Sequence, residues 1–420
     1  MDKLVIEGGV RLKGTVDVSG AKNAALPIMA AALLTEERSV IENVPPLRDV
    51  LTMIRILREL GVRVEMDGDR VTIEPGRYQK DTAPYKLVST MRASFCVLGP
   101  ILAKLGHACV SLPGGCVIGP RPVDLHLKGL RGIGAEIKVD GGYVFAKAKQ
   151  LRGGRVYLGG SFGSSVLATD NVMTAATLAH GTTTIENAAC EPETVDLAHF
   201  LMKMGARIRG LGTPIVEIEG VKRLHGARHR VIPDRIEAGT YMAAAAVTGG
   251  TVTVNGARIE HIGAVVDKFR QAGISVTVTD GAVTVKGPSH LRPVDATTLP
   301  YPGFPTDMQA QIVAMMCVSN GISIVTEKIY PDRFMHISEL TRMGAQITLE
   351  GPSAIVKGVK RLSGAPVMAS DLRASAALVL AGLVAQGKTD VARIYHLDRG
   401  YERMEQKLTR LGARIWREKE

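Results

Sequence analysis

Six stretches of the chain are rich in small and apolar residues on nearly every side of a helix. A helix that is apolar all round is a buried helix, so the pattern predicts six buried helices. They cover residues 21–34, 91–105, 168–179, 236–247, 308–318 and 372–385. Between them lie stretches such as 51–60 and 404–411, whose apolar positions recur at helical spacing and predict amphipathic helices.

Each amphipathic helix is followed by the same short pattern, an apolar residue, a glycine, a small or apolar residue, a polar residue and Val or Ile. The glycines of this pattern lie 68 to 73 residues apart, at Gly61, Gly134, Gly205, Gly273, Gly344 and Gly412. A glycine there is predicted to end the helix in the left-handed conformation before a strand. The repeat predicts an α/β protein of six βαβαββ units.

The chain has 420 residues, which exceeds the size at which a single core stops growing. We therefore expect two domains, each with three units around three buried helices.

Composition indicates a soluble protein. The longest largely apolar run, residues 374–385, is shorter than the roughly 18 residues that span a bilayer, and the start MDKLVIEGG has no apolar core of a signal peptide. The five cysteines include no CxxC pair, which argues against a disulfide framework and against a zinc site. We expect a cytoplasmic protein without a metal or other cofactor.

The formal charge of +11 favours anionic partners. Nucleic acid is the obvious candidate, but aromatic residues are only 4% of the chain and the basic residues are scattered, so neither a stacking surface nor a basic arm is present. The sequence thus favours a small anionic ligand over nucleic acid or a membrane, and no obligate protein partner is indicated.

One cysteine stands in a segment built for a loop. Cys116 lies in LPGGCVIGPRPVDLH, where glycines and prolines on both sides exclude regular structure, and Arg121 follows five residues later. Cationic neighbours lower the pKa of a thiol, so this position suits chemistry, although a chance surface cysteine is the alternative. The second unit is also three to five residues longer than its counterparts, and the extra residues fall in this loop. Lengthened loops on regular scaffolds often carry function.

Polar residues stand at the heads of the buried helices. Helix N-termini attract anions, so several of them converging would form an anion site. Asp307 and Asp371, however, could each be an ordinary N-cap. The residues concerned are Lys22, Asn23, Arg92, Asp307, Asp371 and Arg373.

Several long segments, taken together and in order, resemble the enolpyruvyl transferases of the EPSP synthase superfamily, and within them the enzymes whose acceptor is UDP-N-acetylglucosamine. They include SGAKNAALP from Ser19, PGGCVIGPRPVDLH from Pro113, YPGFPTDMQAQ from Tyr301, SDLRASAAL from Ser370 and HLDRGYERM from His396. The resemblance implies a two-domain inside-out α/β barrel with three units per domain. It also implies an N-terminal domain of residues 22–230 and a discontinuous C-terminal domain of residues 1–21 and 231–420.

The activity that the resemblance implies is a transferase reaction, in which enolpyruvate passes from phosphoenolpyruvate to the 3-hydroxyl of UDP-N-acetylglucosamine at the start of peptidoglycan synthesis. By the same resemblance, Cys116 is the acid and the target of the epoxide fosfomycin, and Asp307 takes the proton of the sugar hydroxyl. Phosphoenolpyruvate is held by Lys22, Arg92, Arg121, Arg373 and Arg399. Lys22 and Arg399 also count as catalytic, and the supporting residues are Arg333, Asp371 and His126.

The nucleotide sugar is implied to contact a larger set of residues. Leu167 stands where the family usually has glycine, which puts the contacts of Ser164 and Ser165 in question. The set consists of Asn23, Arg92, Arg121, Pro122, Val123, Asp124, Leu125, Ser164, Ser165, Val166, Asp307 and Ile329.

Two alternatives remain. One is the sister activity that transfers enolpyruvate to shikimate 3-phosphate, against which the Cys116 loop speaks. The other is a non-catalytic nucleotide-sugar sensor on the same fold, which the presence of Lys22, Cys116, Asp307 and Arg399 disfavours.

Overall fold

The computed structural model describes residues 2–114 and 123–419. They form two compact units, the N-terminal unit of residues 20–114 and 123–232 and the C-terminal unit of residues 2–19 and 233–419. Each unit has an apolar core of its own. Cys116, Arg121 and Pro122 lie outside the described residues.

The N-terminal unit contains three buried helices, α1, α4 and α6, of which α6 contacts both of the others. A short 3-10 helix, Ala32–Leu34, extends α1, and another, Arg92–Val97, precedes α4. The α-helices are α1 Lys22–Ala31, α2 Arg48–Glu59, α3 Tyr85–Val88, α4 Leu98–Leu105, α5 Asp124–Gly132, α6 Val166–Ala176 and α7 Pro192–Lys203.

The C-terminal unit repeats this plan around the buried helices α8, α10 and α12, which also contact one another. Its 3-10 helices are Ile259–His261, Thr306–Met308 and Leu397–Arg399. The α-helices are α8 Arg235–Val247, α9 Gly263–Gln271, α10 Gln309–Met316, α11 His336–Arg342, α12 Leu372–Val384 and α13 Met404–Arg410. Within the described part of the chain, none of the helices has the length and apolar character needed to cross a membrane.

Each unit has three four-stranded sheets with one common plan. The first strand of each sheet is parallel to the second, and the remaining pairs are antiparallel. In the N-terminal unit the strand orders are Arg228–Arg230, Ser39–Glu42, Arg70–Glu74, Arg63–Asp67; Thr82–Ala83, His107–Ser111, Tyr143–Lys147, Glu136–Asp140; and Arg155–Tyr157, Thr182–Glu186, Ile215–Glu219, Arg207–Arg209. A two-stranded ribbon, Gly159–Gly160 with Gly163–Ser164, precedes α6.

The sheets of the C-terminal unit follow the same plan. Their strand orders are Lys13–Asp17, Thr251–Asn255, Ala282–Lys286, Ser275–Thr279; Ala296–Thr297, Ile322–Thr326, Ser353–Lys357, Gln346–Glu350; and Pro366–Met368, Lys388–Ala392, Asp2–Glu7, Arg414–Lys419. Inward-facing strand residues such as Val252 and Val356 are fully buried, whereas outward ones such as Ile322 are exposed. The predicted α/β fold of six βαβαββ units with buried helices is therefore confirmed.

The six glycines that were predicted to end the amphipathic helices all have positive φ, between 87° and 103°. At each one the glycine N–H bonds the carbonyl three residues earlier, and the next N–H bonds the carbonyl five residues before it, as in Gly412 to Thr409 and Ala413 to Leu408. This is the Schellman motif, which satisfies the last free carbonyls of a helix and turns the chain into a strand. The repeat seen in the sequence is thus a repeat of one backbone conformation.

The second buried helix differs from its predicted bounds. Residues 91–105 were predicted as one helix, but Arg92–Val97 is a 3-10 helix and α4 begins only at Leu98. Pro100 lies in the first turn of α4, where the missing N–H of proline costs least, which is consistent with a helix that begins at Leu98.

Candidate functional site

Asp307 lies between two arginines in the C-terminal unit. It belongs to the 3-10 helix that leads into α10, and its side chain is 26% exposed. Arg333 Nη1 donates to Asp307 Oδ1 at 2.9 Å, and Arg373 Nη2 donates to Oδ2 at 2.8 Å. Both guanidinium groups are buried. The alternative reading of Asp307 as an ordinary N-cap is wrong, because the carboxylate pairs with cations and caps no helix.

This arrangement sets the protonation state of Asp307. Burial by itself raises the pKa of Asp307, but the positive charges of Arg373 and Arg333 outweigh burial and hold this pKa well below its usual value. The carboxylate in turn raises the pKa of both arginines against the effect of burial. Asp307 is therefore a partly exposed anion between two cations, in the form that can accept a proton.

A buried polar network holds Arg373 from the other side. Arg373 Nη1 donates to the hydroxyl of Tyr401 at 3.2 Å, and the guanidinium lies 5.5 Å from the centre of the Tyr401 ring. The Tyr401 hydroxyl also lies 2.8 Å from Thr240 Oγ1 and 3.3 Å from Gln311 Nε2. Gln311 Nε2 donates to the Asp307 carbonyl at 2.9 Å. Thr240 of α8, Gln311 of α10 and Tyr401 thus hold the ion pair of Arg373 with Asp307 in place.

The head of α12 carries the other predicted residues of this unit. Asp371 is its N-cap residue, since Oδ1 accepts from the N–H groups of Arg373 and Ala374 at 2.8 and 3.1 Å. His336 is buried nearby, and burial lowers its pKa to about 4 although the charge of Asp371 opposes this. His336 is therefore neutral at physiological pH. The N-cap reading of Asp371 is correct and accounts for its position beside Arg373.

Arg399 and Ile329 lie on separate short segments of the same unit. Arg399 ends the 3-10 helix Leu397–Arg399, which packs on α12, and the side chain is half-buried. Burial and the charge of Arg399 both lower the pKa of His396. Ile329 is half-buried in the turn after strand Ile322–Thr326.

Glu327, which directly follows that strand, is a residue that the sequence did not reveal. Its side chain is fully buried and its carboxylate accepts four hydrogen bonds, from the Thr298 and Thr306 hydroxyls and from the N–H groups of Ile329 and Tyr330. Thr306 Oγ1 also accepts from Arg333 Nη1 at 2.9 Å. Glu327 is thus joined to the Asp307 pair through Thr306.

In the N-terminal unit, Lys22 begins α1 and forms an ion pair with Asp49 at the start of α2. The distance from Lys22 Nζ to Asp49 Oδ2 is 3.0 Å, and the two side chains are only 11% and 6% exposed. Asn23, the next residue, is exposed. An ammonium held on a buried carboxylate has a fixed direction, which suits the binding of an anion.

Arg92 lies close to His126 in the same unit. Burial and the charge of Arg92 lower the pKa of His126 to about 3, so the imidazole is neutral. Asn171 of α6 fixes its tautomer, because Asn171 Nδ2 donates to the Phe95 carbonyl and lies 2.9 Å from His126 Nδ1, which must then be the acceptor. The 3-10 helix that contains Arg92 packs on α1, the helix that begins with Lys22.

Two predicted nucleotide-sugar segments of this unit lie together. Gly160 of the ribbon lies against Leu125 at the start of α5. The two are so close that a Cβ on Gly160 would be 3.2 Å from Leu125 Cδ1. Val123 and Leu125 are half-buried and Asp124 is exposed. Ser164 ends the ribbon, and Ser165 is the N-cap of α6, accepting from Ala168 N at 3.3 Å. Val166 and Leu167 form the first turn of α6, and Leu167 packs against the core.

The predicted residues Cys116, Arg121 and Pro122 lie outside the described residues. The four cysteines that the structure does describe are free thiols. Burial raises the pKa of all four thiols, and that of Cys317 to about 12. These four thiols are therefore protonated and poor nucleophiles at neutral pH.

Known families and relatives match nearly the whole chain. The model of the family "EPSP synthase (3-phosphoshikimate 1-carboxyvinyltransferase)" matches residues 6–408. The UDP-N-acetylglucosamine 1-carboxyvinyltransferase 1 of Caldanaerobacter subterraneus subsp. tengcongensis is 55% identical over 415 residues, 99% of each chain. The UDP-N-acetylglucosamine 1-carboxyvinyltransferases of Geotalea daltonii and Myxococcus xanthus are 54% and 55% identical and cover 100% of both chains.

Solved structures of enolpyruvyl transferases share the fold. The enolpyruvyl transferase NikO from Streptomyces tendae matches with a TM-score of 0.90 at 25% identity, over 99% of this chain and 98% of its own. EPSP synthase from Acinetobacter baumannii matches over 100% of both chains with a TM-score of 0.75 at 19% identity, a likeness of fold alone.

Proposed function

The chain belongs to the EPSP synthase family, and from this premise we propose that it transfers the enolpyruvyl group of phosphoenolpyruvate to the 3-hydroxyl of UDP-N-acetylglucosamine, with release of phosphate. It is then an enolpyruvyl transferase acting at the committed step of bacterial peptidoglycan synthesis. The observation that supports this acceptor is the identity of about 55% to full-length relatives that carry its name.

The reaction adds the sugar to the double bond and then eliminates phosphate. A proton goes to the methylene carbon of phosphoenolpyruvate, and the sugar oxygen attacks C2 as its own proton leaves. Loss of a proton from the new methyl group then breaks the C2–phosphate bond and restores the double bond. Such chemistry needs an acid, a base and cations that hold the charge of the substrate.

We assign the base to Asp307, because it is ionised, partly exposed and held by two guanidinium groups. Arg373 and Arg399 in the C-terminal unit, with Lys22 and Arg92 in the N-terminal unit, bind the phosphate and carboxylate of phosphoenolpyruvate. Arginine suits these oxyanions because its planar fork can make two parallel hydrogen bonds. Arg333, Asp371 and His126 support these groups from buried positions.

Cys116 remains the proposed acid and Arg121 a further cation of the site. The sugar nucleotide is proposed to contact Asn23, Ile329 and the segments that contain Leu125, Ser164 and Ser165. Both assignments rest on the resemblance of the motifs, and no cofactor or metal takes part in the proposed chemistry.

We propose also that the two compact units correspond to the predicted domains of three repeats each, and that the protein works in the cytoplasm. Its partners are then the two small-molecule substrates. Nucleic acid, a membrane and an obligate protein partner have no role in this proposal.

The test is release of phosphate from phosphoenolpyruvate in the presence of each acceptor. We expect turnover with UDP-N-acetylglucosamine and none with shikimate 3-phosphate. Turnover with shikimate 3-phosphate alone would transfer the proposal to the sister activity. Tight binding of UDP-N-acetylglucosamine without phosphate release would instead support a non-catalytic sensor.

A further inference from the structure

Glu327 is a fully buried carboxylate with four hydrogen-bond donors around it. The Thr298 and Thr306 hydroxyls donate over 2.6 and 2.8 Å, and the N–H groups of Ile329 and Tyr330 donate over 2.7 and 2.9 Å. All four partners are donors, and a carboxylate oxygen can accept from each of them. The four donors satisfy this buried carboxylate in the absence of water.

These four contacts join three separate segments of the C-terminal unit. Oε1 holds Thr298 and the turn at 329–330, while Oε2 holds Thr306. Residues 298 and 306 are the two ends of one loop, and Asp307 follows directly. A single side chain therefore closes the loop that leads to Asp307 and fixes the turn that carries Ile329.

The hydrogen-bond directions form a chain from Glu327 to Asp307. Because Thr306 gives its only hydroxyl proton to Glu327, its free lone pair accepts from Arg333 Nη1 at 2.9 Å. The same nitrogen donates to Asp307 Oδ1 at 2.9 Å. The negative charge of Glu327 polarises the Thr306 hydroxyl as an acceptor, and this strengthens its hold on Arg333.

We propose that Glu327 is a positioning residue for the transfer reaction, which sets the direction of the Asp307 carboxylate through Thr306 and Arg333. The inference rests on the proposed function, in which Asp307 takes the proton of the acceptor hydroxyl. Glu327 itself is fully buried and so has no surface with which to contact a substrate. Its effect is on the geometry of a group that does, and errors of about 1 Å in such geometry can cost roughly 100-fold in rate.

Glu327→Gln tests the chain of hydrogen bonds with little change of shape. The glutamine Oε1 can keep the three donors at Thr298, Ile329 and Tyr330. Its Nε2, however, must donate to Thr306, so the Thr306 hydroxyl loses its charged acceptor and has to turn its own proton elsewhere. We expect kcat to fall about 10-fold or more while the KM for phosphoenolpyruvate stays within about twofold.

Thr306→Val and Thr306→Ser separate positioning from folding. Valine keeps the shape and removes the relay, so we expect a similar fall in kcat; serine restores the hydroxyl and should recover most of the activity. In the double variant of Glu327→Gln and Thr306→Val, the second change should cost little more, because both break one path. Thr389→Val is the matched control, since Thr389 is fully buried and its hydroxyl bonds no other described residue.

Phosphate release, KM and thermal melting are measured for the full chain and for each variant. Loss of kcat in both single variants, rescue by serine, non-additive losses in the double variant and normal kcat in Thr389→Val support the positioning role. Additive losses, or Thr306→Val with wild-type kcat and only a lower melting temperature, would reduce Glu327 to a stabilising residue while the proposed function stands. A wild-type protein that releases no phosphate would overturn the proposed function and the positioning role with it.

Discussion

Asp307 shows how the partners of one residue change its chemistry. Two buried guanidinium groups next to each other are costly, and the carboxylate between them offsets that cost. The same contacts lower the pKa of Asp307 and leave it ionised throughout the physiological range. The residue is therefore both a structural counter-ion and the best-placed proton acceptor among the described residues of this cluster.

Asp307→Asn keeps the size of the side chain but removes its charge and its ability to accept a proton. We expect kcat for phosphate release to drop about 100-fold or more. The melting temperature should fall as well, because Arg333 and Arg373 lose their shared anion. A variant with normal kcat would show that Asp307 serves only as a counter-ion.

Asp170 of α6 is the opposite case, a buried carboxylic acid. It is 1% exposed, and burial, with smaller contributions from the charges of Glu191 and Glu193, raises its pKa to about 8. The folded state thus favours the protonated form. The stability that this preference contributes is complete below about pH 4, where the unfolded chain also holds the proton, and it is lost as the pH rises to about 8.

Asp170→Asn imitates the protonated acid at every pH. We expect the variant to be more stable than the wild type at pH 8 and to lose this advantage near pH 5, as measured by thermal melting at the two values. Asp140→Asn, at an exposed strand position, is the matched control and should show no such dependence. An equal effect of Asp170→Asn at both pH values would contradict the buried-acid assignment.

At the scale of the element, the six Schellman motifs are the most regular feature of the chain. Each ends an amphipathic helix at a glycine with positive φ, where a Cβ would be strained even in open space, as at Gly412. The strain lies in the backbone, so it should be similar at all six sites.

Gly412→Ala should therefore cost about 1 kcal/mol, or roughly 2–4 °C in melting temperature, with activity retained. Gly263→Ala is the matched control, because Gly263 also has open space around it but has no positive φ and begins α9. Alanine there should be neutral or slightly stabilising. Equal losses at the two positions would show that conformation is not the cause.

Elements of this fold can be predicted because their signals are local. Stretches that are small and apolar on nearly every side predicted the six buried helices and a repeated glycine predicted the six helix ends, and the structure confirms both. The break before α4 was missed because residues 91–105 are apolar throughout, and the position of Pro100 in a first turn was not used to place the start of the helix.

The candidate site was predictable only in part, because its contacts join residues that are far apart in the sequence. Asp307 and Asp371 have similar sequence contexts, yet one pairs with two distant arginines and the other caps α12. Glu327 and Asn171 were missed for the same reason. The role of each residue depends on hydrogen-bond partners that lie far away in the sequence. In the sequence alone, each is only a polar residue next to or within an apolar element.

At the scale of the whole molecule, the C-terminal unit uses strands from both ends of the described chain. Strand Asp2–Glu7 is a central strand, paired with Lys388–Ala392 on one side and Arg414–Lys419 on the other. Leu4, Val5 and Ile6 are fully buried. Strand Lys13–Asp17 completes a second sheet of the same unit.

Removal of residues 2–7 should therefore damage the C-terminal unit alone. We expect amide hydrogen exchange to become fast across residues 366–419, while the strands and helices of the N-terminal unit keep their protection. Removal of residues 414–419 is the companion experiment and should expose the same strand from its other side. Equal loss of protection in both units would mean that they do not fold independently.

The position of Asp2–Glu7 has a consequence for the order in which a ribosome allows this protein to fold. Residues 20–232 can complete their three sheets once strand Arg228–Arg230 has emerged. Strand Asp2–Glu7 is made long before its two partner strands and must wait, with Leu4, Val5 and Ile6 unpaired, until residues 388–392 and 414–419 leave the exit tunnel. A nascent chain therefore carries this apolar segment unpaired while both of its partner strands are still to be made, which gives a chaperone a long time to bind it.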